Sequence, residues 1–256
     1  MKDDRKDGLR MPYGESICIR DNHEQLAQTA ADIFAVEAGH SVRDRGIFYV
    51  ALSGGSTPRA MHRRLVEKPW LARIPWAKTH IFWVDERCVP PGSRWSNYGS
   101  AKKDFLDGAP LSRDQVHPMW CGLSPTAAAE TYQEKLLDFF PPATWPVPRF
   151  DLIYLGLGED GHTASLFPGQ ASPAEEEKLV VAVKGGNPDV ERISMTLRLI
   201  NGARHVVFLV SGSGKAAVTR AVLRDPGSAL PARKIKPADG GLTWLLDRAA
   251  ASLLRE

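Results

Sequence analysis

Apolar and polar residues alternate along this chain in blocks that predict helices and strands in turn. Residues 23–39 carry apolar side chains near a 3.6-residue period, which predicts a helix, and the apolar block at 47–52 predicts a buried strand. The same pattern predicts further strands at 81–84, 116–119, 152–155, 179–183, 193–196 and 206–210, and helices from Pro58, near Asn97, and at 124–140, 215–223 and 242–254. Together these elements predict an α/β, Rossmann-like fold, with a mostly parallel sheet covered by helices on both faces.

The 256 residues show no internal repeat and no long linker. One proline-rich joint, at 142–148, is too short to divide the chain. We therefore expect a single domain over 14–256, preceded by a flexible tail at 1–13.

Composition narrows the possible partners. The net charge is only +3 and the basic residues are scattered, so no nucleic acid is expected. No apolar run reaches about eighteen residues, so no membrane span is expected, and the polar start MKDDRKDGLR lacks the apolar core of a signal peptide. These features favour a cytoplasmic protein. Cys18, Cys88 and Cys121 are odd in number and widely spaced, so neither a disulfide framework nor a zinc site is expected.

The segment at 150–169, FDLIYLGLGEDGHTASLFPG, carries the most distinctive chemistry. It predicts a buried strand whose carboxyl end opens into a glycine-rich loop, at the sheet edge where ligands bind. The loop ends in His162, which exchanges protons near neutral pH, and the next helix is expected to start there. The loop also spells G-x-G-x-x-G, but Asp160 inside it would repel a pyrophosphate, which disfavours dinucleotide binding.

Two other loops have the composition of phosphate sites. One follows the strand at 47–52 and consists of Ser53, Gly54, Gly55, Ser56, Thr57 and Pro58. Its glycines permit close backbone approach, Ser56 or Thr57 can cap the next helix, and free N–H groups at a helix start attract anions. The other, SGSGK, ends in Lys215, which can supply a point charge to a phosphate monoester. A plain strand-to-helix connection remains open for each loop taken alone.

Charged residues end the strand at 81–84. Asp85, Glu86 and Arg87 follow it directly, and a buried strand delivers such charges only where they are paired or functional. A structural Asp–Arg pair therefore stays open beside a reacting site. Cys88 has no dedicated base and is expected to be an inert thiol. Neither G-x-S-x-G nor H-E-x-x-H occurs, so acid–base chemistry by His162 is favoured over a serine nucleophile or a metal.

Six segments together resemble the family of 6-phosphogluconolactonases and glucosamine-6-phosphate deaminases. They follow one another over nearly the whole chain from about residue 16: LSGGSTPRA, FWVDERCVPPGSRWSNYGSAKKDFL, FDLIYLGLGEDGHTASLFPG, ERISMTLRLINGARHVVFLVSGSGKA, PAR and GGLTWLLDRAAAS. The resemblance implies one α/β domain of the sugar-phosphate isomerase type and no cofactor. It also implies hydrolysis of a lactone ring to 6-phosphogluconate, the second step of the oxidative pentose phosphate pathway.

By position, the resemblance divides one site into two parts. The sugar-phosphate part comprises the loop at 53–58, Arg192 and Lys215. The reacting end comprises Asp85, Arg87, Asp160 and His162, with His162 as the general base that activates water. Either arginine can hold the phosphate or the developing carboxylate, so their division stays open.

Two other functions remain open. A deaminase that isomerises glucosamine 6-phosphate would need an additional catalytic glutamate where the resemblance aligns Phe167, whereas a lactonase needs one base and water. A non-catalytic sugar-phosphate sensor would use His162 only as a ligand contact, and the short N-terminal tail is too small for a helix-turn-helix output. We favour the lactonase, with a small-molecule sugar-phosphate lactone as its partner and a monomer or small homo-oligomer as its state.

Overall fold

A parallel sheet forms the centre of the protein. The computed structural model describes residues 15–122, 124–140 and 147–254, so the predicted tail at 1–13 lies outside it. The strands of this part are β1 (Glu15–Arg20), β2 (Phe48–Leu52), β3 (Thr79–Trp83), β4 (Asp85–Arg87), β5 (Val116–His117), β6 (Leu152–Leu155), β7 (Val180–Gly185), β8 (Val190–Met195), β9 (His205–Val210) and β10 (Gly241–Asp247). Seven of these described strands pair in the parallel order β1-β10-β9-β6-β2-β3-β5.

Helices cover both faces of this sheet. They are α1 (His23–Arg45), α2 (Ser56–Leu65), α3 (Trp70–Arg73), α4 (Asn97–Ala101), α5 (Pro125–Phe139), α6 (Leu197–Ile200) and α7 (Ala216–Arg224). Adjacent strand residues point to opposite faces, and Phe48 packs on Phe34 of α1 while Tyr49 packs on Phe139 of α5. The predicted α/β fold with a mostly parallel sheet is confirmed.

Local signals set the ends of α1. The side chain of Asn22 accepts a hydrogen bond from the backbone N–H of Gln25, which caps the first turn. At the other end Gly46 adopts φ 77° and donates its N–H to the carbonyl of Val42. The helix predicted at 23–39 is therefore confirmed, and it continues to Arg45.

The connections reverse direction between β2 and β6. From β2 the chain proceeds to β3 and β5 on one side of the sheet, while from β6 it proceeds to β9 and β10 on the other. Such a switch point leaves a crevice at the carboxyl ends of the two strands, where open α/β sheets bind ligands. Both β6 and β9 are buried along their whole length, as their continuous apolar runs predict.

A second, antiparallel sheet lies beside this crevice. Its order is β4-β8-β7, so the charged residues after β3 do not extend the parallel strand but form a separate short strand. The strands predicted at 179–183 and 193–196 are present, and they belong to this smaller sheet. Sequence pattern alone does not reveal the antiparallel pairing, because it depends on which partner strand is nearby.

The helix predicted at 242–254 is wrong. Residues Gly241–Asp247 instead form β10, which is buried throughout between β1 and β9, and turns follow it. A short, continuous apolar run has the same appearance in a doubly buried strand and in a buried helix segment, so its periodicity could not separate the two. The strand β1 that pairs with it was not predicted.

The helix expected to start at His162 is also absent from the described structure. Residues 163–166 close a tight turn in which Thr163 bridges Leu166, and Ala164 has φ 50°. Thr163 donates its hydroxyl to the carbonyl of Gly156. The left-handed backbone of Ala164 cannot continue a right-handed helix, so no helix forms here.

The expectation that the cysteines form no disulfide is contradicted, and so is the expectation of a free thiol at Cys88. Cys88 and Cys121 form a disulfide with their Cα atoms 5.0 Å apart, while Cys18 is free. The two cysteines meet because each follows shortly after one of the neighbouring strands β3 and β5. Their separation of 33 residues carries no sign of this pairing in the sequence.

In the described part of the chain, no helix combines the length and the apolar character that a membrane crossing requires.

Candidate active site

A cavity of about 200 Å³ occupies the crevice between the ends of β2 and β6. Eleven of the residues assigned to the site from sequence line it: Ser53, Gly54, Gly55, Ser56, Thr57, Pro58, Asp85, Arg87, His162, Arg192 and Lys215. Asp160, the twelfth, joins the cavity through its contact with His162. The residues assigned to the phosphate and to the reacting end therefore meet in one place.

The loop after β6 holds His162 tightly against its own backbone. Gly158 donates its N–H to the carbonyl of His162 over 2.8 Å, and Gly161 allows the return with φ 84°. A Cβ atom on Gly158 would lie 2.1 Å from Nδ1 of His162. Only glycine at position 158 leaves room for the imidazole in this position.

His162 and Asp160 form a hydrogen-bonded pair at the cavity edge. Nδ1 of His162 lies 2.6 Å from Oδ1 of Asp160, and that carboxylate also accepts the backbone N–H of His162. Partial burial acts to raise the pKa of Asp160, but these hydrogen bonds and the charge of the imidazole outweigh it and lower the pKa below its ordinary value. The carboxylate is thus ionised at neutral pH and accepts the Nδ1 proton.

Asp85 is buried and fully engaged. Its side chain is 4% exposed, and Oδ2 accepts a 2.6 Å hydrogen bond from the hydroxyl of Ser165. Oδ1 accepts a 3.1 Å bond from Nδ2 of Asn97. The structural Asp–Arg pair considered from the sequence is not what holds this carboxylate.

Asn97 and Ser165 are site residues that the sequence reasoning missed. The side chain of Asn97 contacts two segments of the site. Its Nδ2 donates a hydrogen bond to Asp85, and its Oδ1 lies so close to Gly54 that a Cβ atom there would be only 1.8 Å away. Ser165 follows the histidine loop. Besides its bond to Asp85, it donates its backbone N–H to the hydroxyl oxygen of Ser194. No local pattern marks either residue, since their partners are distant in sequence.

Two arginines face each other across the smaller sheet. Arg87 of β4 is the register partner of Arg192 of β8. Arg87 donates from Nη1 to the carbonyl of Trp95, and Arg192 donates from Nε and Nη2 to the carbonyls of Gly185 and Pro188. These acceptors are neutral. Burial, followed by repulsion from Arg87, lowers the pKa of Arg192.

One hydrogen-bond donor of the two arginines, Nε of Arg87, is buried and unsatisfied within the described structure. A buried unpaired donor is costly to leave unsatisfied, and here it belongs to a cation in a cavity wall. Arg87 and Arg192 both line the cavity, and their positive charge suits an anionic ligand.

The amino end of α2 presents free N–H groups to the cavity. Gly55 precedes the helix with φ 101°, and no side chain of the described residues caps it, so the predicted cap at Ser56 or Thr57 is not formed. The backbone N–H groups of these two residues have no partner within the helix, and the helix dipole favours an anion there. The hydroxyl of Ser53 is already donated to the carbonyl of Tyr154.

The second phosphate loop is fixed by Asp247 at the end of β10. Its carboxylate accepts the N–H of Gly212 over 3.0 Å and the hydroxyl of Ser211. Gly212 has φ 98°, and a short 3₁₀ turn, Ser213–Lys215, follows. Lys215 is half-buried and completes this side of the cavity.

Comparison with known proteins identifies the family. The family model described as glucosamine-6-phosphate isomerases/6-phosphogluconolactonase matches residues 21–244. The 6-phosphogluconolactonase of Rattus norvegicus is 38% identical over 249 residues, which cover 96% of both chains. A probable chloroplastic 6-phosphogluconolactonase 3 of Oryza sativa subsp. indica is 38% identical over 93% of this chain and 76% of its own.

Solved structures agree with this assignment. A 6-phosphogluconolactonase structure from Trypanosoma brucei has a TM-score of 0.85 and 28% identity, covering 95% of this chain and all (100%) of the other. The fold is thus the α/β type of the sugar-phosphate isomerases. The chain belongs to the glucosamine-6-phosphate isomerase/6-phosphogluconolactonase family.

Proposed function

We propose that this chain hydrolyses 6-phospho-D-glucono-1,5-lactone to 6-phospho-D-gluconate in the oxidative pentose phosphate pathway. One observation carries the proposal: the hydrogen-bonded pair of His162 and Asp160 opens into the same cavity as two anion-binding loops. That cavity offers a base at one end and phosphate ligands at the other. The names of the relatives from rat and rice support the same substrate.

His162 acts as the general base in this proposal. Because Asp160 accepts the Nδ1 proton, the free lone pair is on Nε2, which takes a proton from water. The water oxygen forms a bond to the lactone carbonyl carbon and gives a tetrahedral oxyanion. The imidazolium then returns the proton to the ring oxygen as the bond between that oxygen and the carbonyl carbon breaks, so the ring opens.

Charge developing on the oxyanion needs a donor. The backbone amides of the glycine loop and the guanidinium of Arg87, which lines the cavity, are the two candidates. Asp85 lines the same cavity, and its carboxylate, held by Ser165 and Asn97, helps to fix the reacting end.

The phosphate is assigned to the helix start at Ser56 and Thr57 and to Lys215. Binding there, remote from the reacting carbon, fixes the orientation of the lactone before attack. Arg192 and Arg87 are both compatible with the phosphate and with the developing carboxylate. Two variants, Arg87→Gln and Arg192→Gln, separate these assignments. Loss of the arginine that binds phosphate should weaken binding of 6-phosphogluconate but not of gluconate, whereas loss of the arginine that binds the carboxylate should weaken binding of both.

Phe167 disfavours the deaminase activity. Its ring packs on His162 with centroids 4.9 Å apart, so an apolar group occupies the position where the resemblance aligns the additional glutamate of that reaction. Cytoplasmic location and oligomeric state stay predictions, and the plant relatives that match are named as chloroplastic.

The direct test is lactone hydrolysis by the purified chain, measured as acid release and corrected for the spontaneous reaction. We expect enzyme-dependent turnover of the phosphorylated lactone and much slower turnover of glucono-1,5-lactone. Release of ammonia from glucosamine 6-phosphate without lactone turnover would replace the proposal with the deaminase. Tight binding of 6-phosphogluconate without any turnover would favour the sensor.

A further inference from the structure

Phe167 is not among the described residues that line the cavity, and it belongs to a small apolar cluster with Val181 and Val183. Its side chain is 6% exposed, and the cluster is separate from the main core of the described residues. A buried ring in such a place is ordinarily packing alone. The contacts of the Phe167 ring decide whether it also positions residues of the site.

One neighbour of the ring is the imidazole of His162. The ring centroids lie 4.9 Å apart at an interplanar angle of 51°, within the range of favourable aromatic pairs. Asp160 bonds to the imidazole at Nδ1, and Gly158 lies close to its Nδ1 and Cε1 atoms. The phenyl ring adds a further contact to these two, and it therefore helps to set the direction of Nε2.

The other neighbour is the guanidinium of Arg192. Its Cζ lies 5.6 Å from the centroid of Phe167, close enough for a cation–π interaction. The carbonyls of Gly185 and Pro188 hold two of its donors, while the ring supports the plane of the group.

Gly186 makes this packing possible. A Cβ atom at position 186 would lie 2.6 Å from Nη2 of Arg192 and 2.9 Å from the phenyl ring of Phe167. The hairpin between β7 and β8 therefore approaches both side chains closely. Because φ of Gly186 is 83°, the conformation as well as the space favours glycine.

We propose that Phe167 is a positioning residue: its one ring sets both the imidazole of His162 and the guanidinium of Arg192 in the cavity. The expected effect of Phe167 on catalysis rests on the proposed function, whereas its contacts with His162 and Arg192 do not. A phenyl ring has only two side-chain torsions and is buried here, so it links the base and the anion-binding cation rigidly. Shifting the ring displaces both groups together.

The test compares two ring-free variants of similar volume, Phe167→Leu and Phe167→Met, with Val181→Ala. Val181 belongs to the same cluster, but its register partner is Ser194 rather than Arg192, so its truncation loosens the cluster without removing a ring contact to Arg192 or His162. Thermal unfolding verifies that each variant folds. The readouts are kcat and KM for the lactone, and the exchange rate of the Arg192 Nε–H with water, followed by NMR.

We expect kcat/KM of the Phe167 variants to fall about 10- to 100-fold, through both a lower kcat and a higher KM. The kcat/KM of Val181→Ala should stay within about threefold of wild type. The Nε–H of Arg192 should exchange faster in the Phe167 variants only. Equal kinetics and equal exchange in Phe167→Leu and Val181→Ala would overturn the inference. If the wild-type protein did not turn over the lactone, the proposed function would fall, and the Arg192 exchange would still decide the role of Phe167.

Discussion

Ser165 donates its hydroxyl to Oδ2 of Asp85 over 2.6 Å, and both residues are buried. This bond joins the turn after His162 to the first residue of β4. Within the described structure, the carboxylate of Asp85 accepts two side-chain hydrogen bonds, this one and one from Asn97. The reacting end is therefore assembled from three separate segments of the chain.

Ser165→Ala should weaken this assembly. Removing the hydroxyl leaves one oxygen of a buried carboxylate unsatisfied, which costs about 1–3 kcal/mol of unfolding free energy. Urea unfolding measures the loss, and lactone turnover should fall as well because Asp85 is no longer fixed. The exposed Ser252 provides the control, since Ser252→Ala should change stability by less than about 0.5 kcal/mol. Equal stability of the two variants would contradict a positioning role for Ser165.

Lys215→Ala should weaken binding of 6-phosphogluconate while the fold stays intact. The loss of one charge-assisted hydrogen bond to the phosphate costs about 1.5–3 kcal/mol. Calorimetry with 6-phosphogluconate and with gluconate measures it, and Lys103→Ala, at an exposed lysine outside the cavity, is the matched control. An equal loss for both sugars would remove Lys215 from the phosphate site.

Asp160→Asn should affect both activity and the pH dependence of stability. The amide can donate to Nδ1 and so favour the tautomer that protonates Nε2, which should lower kcat by about 10²–10⁴-fold. Because folding lowers the pKa of Asp160, the wild-type carboxylate stabilises the fold above about pH 3.9, and this contribution is lost as the pH falls through the lower folded value.

Denaturant unfolding of wild type and Asp160→Asn between pH 3 and pH 7 measures that contribution. The stability difference should shrink toward the acid end. Asp138→Asn, at an exposed aspartate, is the control for charge removal. A difference that grew as the pH fell would have the wrong sign for a carboxylate whose pKa is lowered.

Oxidation should stabilise the protein through Cys88 and Cys121. Closing a loop of 33 residues lowers the entropy of the unfolded chain, which should raise the free energy of unfolding by about 3–4 kcal/mol. A reducing compartment would oppose formation of the bond. Thiol titration in denaturant should find one free thiol in oxidised protein and three after reduction, in keeping with the free Cys18. Cys88→Ser/Cys121→Ser should abolish the effect of reductant on stability, and persistence of that effect would place it elsewhere.

Much of the fold follows from the sequence, because β6 and β9 are apolar runs bounded by glycine turns and α1 has caps at both ends. The strand β10 was mistaken for a helix since only its neighbours β1 and β9 show that it is buried on both faces. The loops that form the cavity were predicted for the same reason as the strands, since each follows an apolar block directly.

The supporting contacts of the site could not be predicted. Ser165 and Asp85 are 80 residues apart, and neither has a local signal for the other. The same holds for Cys88 and Cys121, whose meeting depends on the pairing of β3 with β5. Sequence patterns identify which residues lie at strand ends, whereas tertiary pairing decides which of them touch.

The most direct measurement is the enzyme-dependent rate of lactone hydrolysis by His162→Asn, above the spontaneous reaction, with His40→Asn at an exposed histidine as the control. Loss of the general base should lower kcat by about 10²–10⁴-fold with little change in affinity for 6-phosphogluconate. The His40 variant should behave as wild type. A His162 variant within about threefold of wild type, far short of the loss expected for a general base, would contradict the account.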